Sequence, residues 1–372
     1  MTSSWVSGDI HLSSYPTFII ITVWCLKKMH NIYSYHAKFN QEIPRRLIME
    51  YSHPGDTVLD PFCGCGTALL EALRTGRNAV GVDLSPIGIL CSKVKTYKYD
   101  MDLIRKYASQ IIDIDNTVPL IPNFPDKDIW FNAGVLDTLG RLNRNIHSIP
   151  DQHYQELFLL VLLSILNRCS RKRKTWNLGY LADNVAPNQD NNINALNVYK
   201  GKLKQLFARQ DFIATNNLCS VICVESDIMN FSIESPADIV VTSPPYPFAV
   251  DFIRYHRLAL YWLEKNVEEI SDQEVGARNK RNKRNALSDF FIQFEKIYIH
   301  IMKMVKDGGF WCMTIGNTTR QKQYIDFIGW TIELFEKNGW KLVSNEVRNL
   351  TQQTMAQKRI PTENILIFQK KV

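Results

Sequence analysis

The sequence lacks an apolar run long enough to cross a bilayer, and it lacks cysteine pairs spaced like zinc ligands. The apolar stretch over 18–26 is far shorter than the roughly 20 residues that a spanning helix needs. It also has no basic segment before it and no small-residue cleavage site after it, as a secretory signal would. The eight cysteines are scattered, which favours reduced thiols over a disulfide framework. We therefore expect a cytoplasmic chain without a membrane segment or a bound metal.

Two common nucleotide-binding signatures are also missing. The chain contains neither the GxGxxG loop of nicotinamide enzymes nor the GK[ST] of phosphate-binding loops. Its charge is only modestly one-sided, because Lys plus Arg (44) exceeds Asp plus Glu (37) by 7. Such a basic excess suits a polyanionic partner but occurs in many ordinary enzymes. The 372 residues allow one large α/β domain with a lobe, or two domains.

A glycine loop follows the apolar segment Thr57–Asp60 and precedes a helical pattern. The loop reads Pro-Phe-Cys-Gly-Cys-Gly over 61–66, and its glycines permit a sharp turn close to a ligand. A second apolar segment ends in Asp83, where an acidic residue of a doubly wound sheet usually binds ribose hydroxyls. Asp60 beside the loop suits an ammonium group better than a pyrophosphate. Together these features indicate S-adenosylmethionine.

A proline turn, Thr242-Ser243-Pro244-Pro245-Tyr246, follows the apolar segment 238–241. The two prolines fix an extended backbone without N–H groups. They leave the Ser243 hydroxyl and the Pro244 carbonyl as acceptors, next to a tyrosine that we expect to be exposed. Such a turn can receive an exocyclic amino group and stack the base that carries it. By itself it could equally be a turn that closes a strand.

The two motifs, DPFCGCGT over 60–67 and TSPPY over 242–246, resemble those of the DNA methyltransferases that modify cytosine N4 or adenine N6. The segments 34–48, 246–262 and 305–317 are also similar to segments of that family. The resemblance covers roughly 31–100 and 220–372. It implies a doubly wound, mostly parallel α/β sheet of the Rossmann-like, S-adenosylmethionine-dependent methyltransferase type. It also implies double-stranded DNA as substrate, a flipped target base, direct methyl transfer and a prokaryotic restriction–modification context with a separate endonuclease.

The resemblance and the residue chemistry give roles to individual positions. The catalytic candidates are Ser243, Pro244, Pro245 and Tyr246, and the cofactor candidates are Phe39, Asp60, Phe62, Gly64, Gly66, Thr67, Asp83 and Asp227. Phe39 would form an apolar wall, and Asp60 with the loop would hold the methionine part. Asp227 would bind the adenine amino group or cap the turn before Ile228. Thr67 would line the site or cap its helix.

Serine at position 243 favours cytosine N4, because the resembling enzymes with DPPY or NPPY mostly modify adenine N6. That correspondence is imperfect, so adenine stays an alternative. An RNA guanine-N2 methyltransferase is a less favoured one, since those enzymes generally begin the turn with aspartate. A non-enzymatic DNA-binding subunit with a decayed fold would have a broken loop or tetrad, and both motifs are intact here.

The chain alternates strand and helix patterns, as expected for a mostly parallel sheet covered on both faces. The predicted strands are 57–60, 78–83, 220–225, 238–242, 309–315, 341–347 and 364–369, and the predicted helices are 67–75, 86–96, 252–265, 290–305 and 324–338. The last two strands have no helix between them, which indicates an antiparallel edge. Residues 1–30 are expected to form an N-terminal extension.

The stretch 101–219 is too long for an ordinary connection between strands. Its apolar spacing predicts a mainly helical inserted lobe, with a loop over 183–197, and makes it the candidate target-recognition region. Two basic runs are candidates for DNA phosphate contacts. Their members are Arg171, Lys172, Arg173 and Lys174 in the lobe, and Arg278, Lys280, Arg281, Lys283 and Arg284 after the catalytic-side helix.

Overall fold

The computed structural model describes residues 31–171, 191–208, 219–248, 250–277, 280, 284–320, 323–349 and 362–372. The strands in this part of the chain are β1 Thr57–Asp60, β2 Asn78–Asp83, β3 Val221–Glu225, β4 Ala237–Thr242, β5 Val305–Ile315, β6 Thr318–Arg320, β7 Gln323–Ile325, β8 Trp340–Asn349 and β9 Thr362–Lys370. Seven of them form the main sheet, and β6 and β7 form a separate hairpin. None of the helices in the described ranges has the length and apolar character that a membrane crossing needs.

The described helices divide between the sheet layers and the stretch 101–219. Those that accompany the sheet are α1 Glu42–Tyr51, α2 Thr67–Arg74, α3 Pro86–Thr96, α9 Phe252–Tyr255, α10 Arg257–Trp262, α11 Val267–Gln273, α12 Ala286–Met302 and α13 Phe327–Lys337. Those within 101–219 are α4 Met101–Ile112, α5 Lys127–Trp130, α6 Ala133–His147, α7 Gln152–Cys169 and α8 Ala195–Phe207.

The strand order of the main sheet is β3-β2-β1-β4-β5-β9-β8. Strands β1 to β5 are parallel, while β9 is antiparallel to both of its neighbours. Leu59 in β1 pairs with Val80 on one side and Val240 on the other. This sheet confirms the expected doubly wound class and its antiparallel edge. The order reverses between β1 and β4, and in such sheets ligands bind beyond the carboxyl ends of the strands at that point.

Helices cover both faces of the sheet. Successive residues of a strand point to opposite faces, so neighbouring residues belong to different core clusters. In β4, Ile239 and Val241 belong to the core cluster under α1 and α2. Val240 between them belongs to the cluster under α12 and α13, which contains the buried rings of Phe294 and Phe335. Central parallel strands buried on both faces are continuously apolar, which explains the run that ends at the proline turn.

The described part of the lobe 101–219 is mainly helical, as predicted, and it packs onto the sheet domain. Leu160 of α7 shares one buried cluster with Ile87 of α3 and Leu260 of α10. The side chain of Asp151 caps α7 by accepting from the amides of His153 and Tyr154. The lobe therefore has a continuous apolar connection to the helices that flank the cleft described below.

Three predicted helix boundaries are wrong, and tertiary contacts explain each. The helix expected over 252–265 divides at His256, because its buried ring turns to the Tyr33 hydroxyl, 3.1 Å from Nδ1. The helix expected over 290–305 is Ala286–Met302, because Val305 already pairs with Ala237 in the sheet. The helix expected over 324–338 begins at Phe327, because Tyr324 pairs with Thr319 in the small hairpin.

The loop expected over 183–197 is also wrong at its end, since α8 starts at Ala195. The side chain of Asn194 accepts a hydrogen bond from the Asn197 amide at 2.9 Å and caps this helix. Asparagine is a favoured N-cap residue, so the polar composition marked a helix start here. The part over 183–190 lies outside the described residues.

Candidate active site

A cleft of about 530 Å³ lies where the carboxyl ends of β1, β2 and β4 meet. Its volume is in the range of small-molecule and cofactor sites. The predicted site residues that line it are Phe39, Asp60, Phe62, Gly64, Thr67, Asp83, Asp227, Ser243, Pro244, Pro245 and Tyr246. The fold therefore brings together two motifs that are about 180 residues apart in the chain.

The glycine loop turns through two residues with left-handed backbone angles, Gly64 at φ +47° and Gly66 at φ +72°. Gly64 lines the cleft, whereas Gly66 lies behind the loop, where a Cβ would meet the backbone of Ser92 at 2.9 Å. A Cβ on Gly88 of α3 would meet the Gly64 carbonyl oxygen at 2.9 Å. The buried Lys95 donates to the Cys65 carbonyl at 2.6 Å. These contacts fix the loop from behind.

The Asp83 carboxylate at the end of β2 is held by two backbone amides. Its Oδ2 accepts from Gly64 at 2.7 Å and its Oδ1 from Ser85 at 2.8 Å. Burial raises the pKa of Asp83, against the lowering effect of these two bonds. A carboxylate has about four acceptor positions, so two remain for other donors. Vicinal ribose hydroxyls are donors of that kind.

Asp60 at the end of β1 connects the two motifs directly. Its Oδ1 accepts from the Thr242 hydroxyl at 2.6 Å and from the Phe62 amide at 3.2 Å. The side chain is almost fully buried, and that burial raises its pKa to about 7. An ammonium group in the cleft would favour the ionised form of this carboxyl group.

Tyr246 is half-buried, so the expectation of an exposed ring is wrong. Its hydroxyl lies 3.0 Å from Glu363 Oε1 and 3.3 Å from the Thr314 carbonyl oxygen. The chain beyond it turns back onto the domain, because the Phe248 amide donates to the Gly276 carbonyl at 2.8 Å. The Tyr246 ring still lines the cleft, and its hydroxyl is held by Glu363 and the Thr314 carbonyl.

Asp227 and Thr67 were each predicted either to contact the cofactor or to cap a helix or turn. Asp227 caps the short 3₁₀ helix Ile228–Asn230 by accepting from the Met229 amide at 2.9 Å, and it also lines the cleft. Thr67 does not cap α2, because it is the first helical residue and Gly66 occupies the cap position. Thr67 does line the cleft.

The segment before α1 closes one side of the cleft through aromatic contacts. Tyr35 stacks on His256 with ring centroids 4.7 Å apart, and His36 stacks on Tyr255 at 4.0 Å. Both Tyr35 and His36 line the cleft together with Phe39. The sequence indicated the segment only through its family resemblance.

Four charged residues that were not predicted as site residues also line the cleft: Lys38, Glu274, Arg348 and Glu363. Burial raises the pKa of Glu274 to about 8, and its Oε1 accepts from the Phe252 amide at 2.9 Å. Arg348 lies on β8 and Glu363 on β9, both next to the proline turn. No local sequence pattern identifies Arg348 and Glu363 as site residues, because their place in the cleft depends on where the last two strands pack.

Most candidates for DNA contact lie outside the described residues, namely Lys172, Arg173, Lys174, Arg278, Arg281 and Lys283. The backbone amide of Arg171 donates to the Trp130 carbonyl at 2.7 Å. The Lys280 ammonium donates to the carbonyls of Asp272 and Glu274, at the end of α11. Arg284 is exposed. A phosphate role for all of these stays a prediction. The described ranges contain no cluster of potential metal-binding side chains.

Comparisons with known proteins agree with this geometry. The family model described as DNA methylase matches residues 15–87, so the match begins within the segment 1–30. The chain is 25% identical to Type II methyltransferase M.BsoBI of Geobacillus stearothermophilus over 320 residues, which are 75% of this chain and 62% of that protein. It is 24% identical to Type II methyltransferase M.MvaI of Kocuria varians over 255 residues, 60% of this chain and 55% of that protein. With Type II methyltransferase M.MjaII of Methanocaldococcus jannaschii it shares 35% identity over 87 residues, 23% of this chain and 16% of that protein.

The sheet order and the cleft define a Rossmann-like methyltransferase fold. The family match over 15–87 and the relatives show that the chain is similar to DNA methyltransferases. The chain matches less than two thirds of the length of each of these relatives. S-adenosylmethionine fits the cleft beside the end of β2, because Asp83 keeps acceptor positions for ribose hydroxyls and Gly64 lines the cleft without a side chain.

Proposed function

We propose that the protein transfers a methyl group from S-adenosylmethionine to the exocyclic N4 amino group of cytosine in double-stranded DNA. The observation that carries the proposal is the hydrogen bond between Thr242 Oγ1 and Asp60 Oδ1, 2.6 Å long. It joins the strand end before the glycine loop to the strand end before the proline turn. Donor and acceptor sites are then two sides of one cleft.

On the donor side, S-adenosylmethionine supplies a methyl group on a sulfonium. Asp83 would bind the ribose hydroxyls, and Asp60 with the 62–66 loop would hold the amino-acid part. Phe39 would form an apolar wall, and Asp227 would bind the adenine amino group. Positioning accounts for most of the expected rate, since direct transfer between two held groups needs no covalent intermediate on the protein.

On the acceptor side, a base inside a duplex must be flipped out to reach the cleft. The Ser243 hydroxyl and the Pro244 carbonyl would accept hydrogen bonds from its amino group and favour pyramidal geometry at nitrogen. Pro245 keeps the turn rigid, and the Tyr246 ring would stack on the base. The basic residues around 171–174 and 278–284 would contact phosphates, and the lobe 101–219 would read the target sequence.

The experiment is expression in a methylation-free bacterial host, followed by nucleoside mass spectrometry of the host DNA and RNA and single-molecule sequencing of the DNA. We expect N4-methylcytosine in one sequence context and none with the empty vector. N6-methyladenine would keep the enzyme class and change the acceptor. N2-methylguanine in RNA would replace DNA as the substrate. The proposal is contradicted if the purified protein binds S-adenosylmethionine but the host nucleic acid contains no methylated base beyond the empty-vector control.

The relatives' designation as Type II methyltransferases suggests the biological setting. We propose that the modification protects host DNA from a separate endonuclease with the same target sequence. The test is digestion of DNA from the expressing strain with endonucleases that cut at the sequence context found. Protection of that context supports the setting, and unprotected DNA with full methylation would argue against it.

A further inference from the structure

A chain of polar side chains leads from the proline turn to the last two strands. The Tyr246 hydroxyl lies 3.0 Å from Glu363 Oε1 on β9. The other carboxylate oxygen, Oε2, accepts from the Arg348 guanidinium on β8 at 3.2 Å. Ser243 lies three residues before Tyr246 in the same turn, and its hydroxyl lowers the pKa of the Tyr246 phenol. All four residues line the cleft.

The carboxylate of Glu363 is shielded, with 17% of its side chain exposed. Burial raises the pKa of Glu363, whereas the Tyr246 hydrogen bond and the Arg348 charge lower it. Burial raises the pKa of Tyr246 further above its usual value, and the charge of Glu363 adds to this effect. The phenol is therefore neutral at ordinary pH and can pass a proton on only by receiving another. Tyr246 and Arg348 are the titratable and charged groups that face Glu363 among the described residues.

The transfer of a methyl group to an amine creates a need for a proton acceptor. When the amino nitrogen forms a bond to the methyl carbon, its lone pair is consumed and the nitrogen becomes positively charged. Neutral product forms only when one N–H proton leaves. The Ser243 hydroxyl, placed to accept a hydrogen bond from that amino group, is a poor base by itself.

We propose that Glu363 is the final acceptor of this proton, which reaches it through Ser243 and Tyr246. This inference rests on the proposed function. The amine N–H proton passes to Ser243 Oγ while the Ser243 proton passes to the Tyr246 oxygen and the Tyr246 proton passes to Glu363. Serine and tyrosine end neutral, the donor sulfur loses its positive charge with its methyl group, and the carboxylate becomes a carboxylic acid. Solvent later takes the proton from Glu363.

Glu363 acts here as the final proton acceptor and does not contact the base. Arg348 keeps its carboxylate in place through the contact with Oε2. A purely structural role for Glu363 would also hold Tyr246, so the test must separate proton transfer from support. The pH dependence does so, because the relay needs the ionised carboxylate and support does not. Activity should therefore fall as the pH drops through the raised pKa of Glu363.

The test compares wild type with Glu363→Gln, Glu363→Asp and Tyr246→Phe in single-turnover methylation of DNA from a methylation-free host, over the full pH range in which the wild type stays folded. We expect Glu363→Gln and Tyr246→Phe to lower the rate about 10²-fold and to lose the acidic limb. Glu363→Asp should recover part of the rate and keep the limb. Glu346→Gln is the matched control, because Glu346 lies on β8 and pairs with Arg46 instead.

A second readout does not depend on activity. Carbon-13 spectra of glutamate-labelled protein should contain one carboxyl resonance that titrates above the usual range and disappears in Glu363→Gln. Tyr246→Phe should move that titration to higher pH, because the phenol hydrogen bond stabilises the carboxylate. Unchanged titration in Tyr246→Phe would overturn the relay even if the methylation assay failed.

The kinetic outcomes distinguish the two proposals. Active wild type with an unchanged rate or an unchanged acidic limb in Glu363→Gln overturns the relay and leaves the proposed function standing. A wild type that binds S-adenosylmethionine and transfers no methyl group contradicts the proposed function and the relay together. Melting temperatures and S-adenosylmethionine affinities of the variants show that each one is folded.

Discussion

The two sides of the cleft are built in different ways. On the donor side, Asp83 binds the amides of Gly64 and Ser85, which are 19 and 2 residues away in the chain. On the acceptor side, Tyr246 is held by Thr314 and Glu363, which are 68 and 117 residues away. The donor side is one strand–loop–helix unit with its neighbouring strand. The acceptor side needs the whole sheet to be assembled.

This difference predicts how the two sides respond to change. Damage to the donor side should appear in the affinity for S-adenosylmethionine, because its contacts hold the ground state. Damage to the acceptor side should appear in the rate of transfer, because under the proposed function its contacts would act on the reacting amino group. A variant that violates this division would show that the two sides work as one unit.

The largest expected effect is on the acceptor side, with Ser243→Ala. Loss of the hydroxyl removes an acceptor aimed at the amino group, so the single-turnover rate should fall about 10²- to 10³-fold, as for a lost oxyanion-hole donor. The affinity for S-adenosylmethionine, measured by calorimetry, should stay within twofold. Ser235→Ala is the control, since Ser235 is exposed before the opposite end of β4. Full activity of Ser243→Ala would remove this hydroxyl from the mechanism.

Asp83→Ala should produce the complementary effect on the donor side. It removes hydrogen bonds to a charged group, each worth about 1.5–3 kcal/mol, and leaves two amides without their acceptor. We expect S-adenosylmethionine to bind roughly 10- to 100-fold more weakly, while the rate at saturation changes much less. Asp307→Ala, at a mostly exposed aspartate near the start of β5, is the comparison variant. Equal affinity in wild type and Asp83→Ala would contradict the ribose assignment.

Gly88→Ala tests the close packing behind the glycine loop. The new Cβ would meet the Gly64 carbonyl oxygen at 2.9 Å, so the loop must shift. We expect S-adenosylmethionine affinity to fall about tenfold, or roughly 1.4 kcal/mol. Gly201→Ala is a matched control, because Gly201 is also helical and its Cβ would meet nothing within 4 Å. That control should raise the melting temperature slightly, since alanine favours helix over glycine. Similar behaviour of the two variants would show that the loop tolerates displacement.

Asp60→Asn should give the smallest change and tests the residue that joins the two sides. Burial raises the pKa of Asp60 from 3.8 to about 7, so the folded state binds a proton more tightly than the unfolded state. Wild-type stability must then decrease as the pH rises between these values. Asparagine keeps the oxygen that faces Thr242 and avoids this cost. We expect its melting temperature without ligand to match wild type near pH 4 and to exceed it by several degrees at pH 8. If the difference in melting temperature is the same at pH 4 and pH 8, ionisation of the buried Asp60 carboxyl group does not destabilise the folded protein.

The sequence predicted the strands of the sheet well and several helices less well. Buried parallel strands have continuous apolar runs, and a proline turn or a glycine loop marks their ends, so 57–60 and 78–83 are confirmed without change. The helix predicted over 252–265 failed because a buried histidine bonded to Tyr33, 223 residues away, divides it. Helical periodicity contains no information about such a partner.

The same distinction applies to the site residues. Asp60, Asp83 and the turn 243–246 line the cleft as predicted, because each lies at the carboxyl end of an apolar strand, where a parallel sheet binds its ligands. Gly66 was expected in the cleft, but it lies behind the loop against Ser92. The motif could not show this, because it does not say which way a glycine faces. Glu274, Arg348 and Glu363 were missed, since each joins the cleft from an element with no motif of its own.

The amino-acid sequence by itself determined the parallel sheet, the two motifs and the chemistry of their side chains, because these depend on local patterns and residue types. Only the tertiary structure decided that Asp60 meets Thr242 and that Tyr246 meets Glu363. Those contacts arise from strand order and from the antiparallel entry of β9 beside β5. The free energy that selects this arrangement comes from burying whole sheet faces, which no short segment of the chain can do alone.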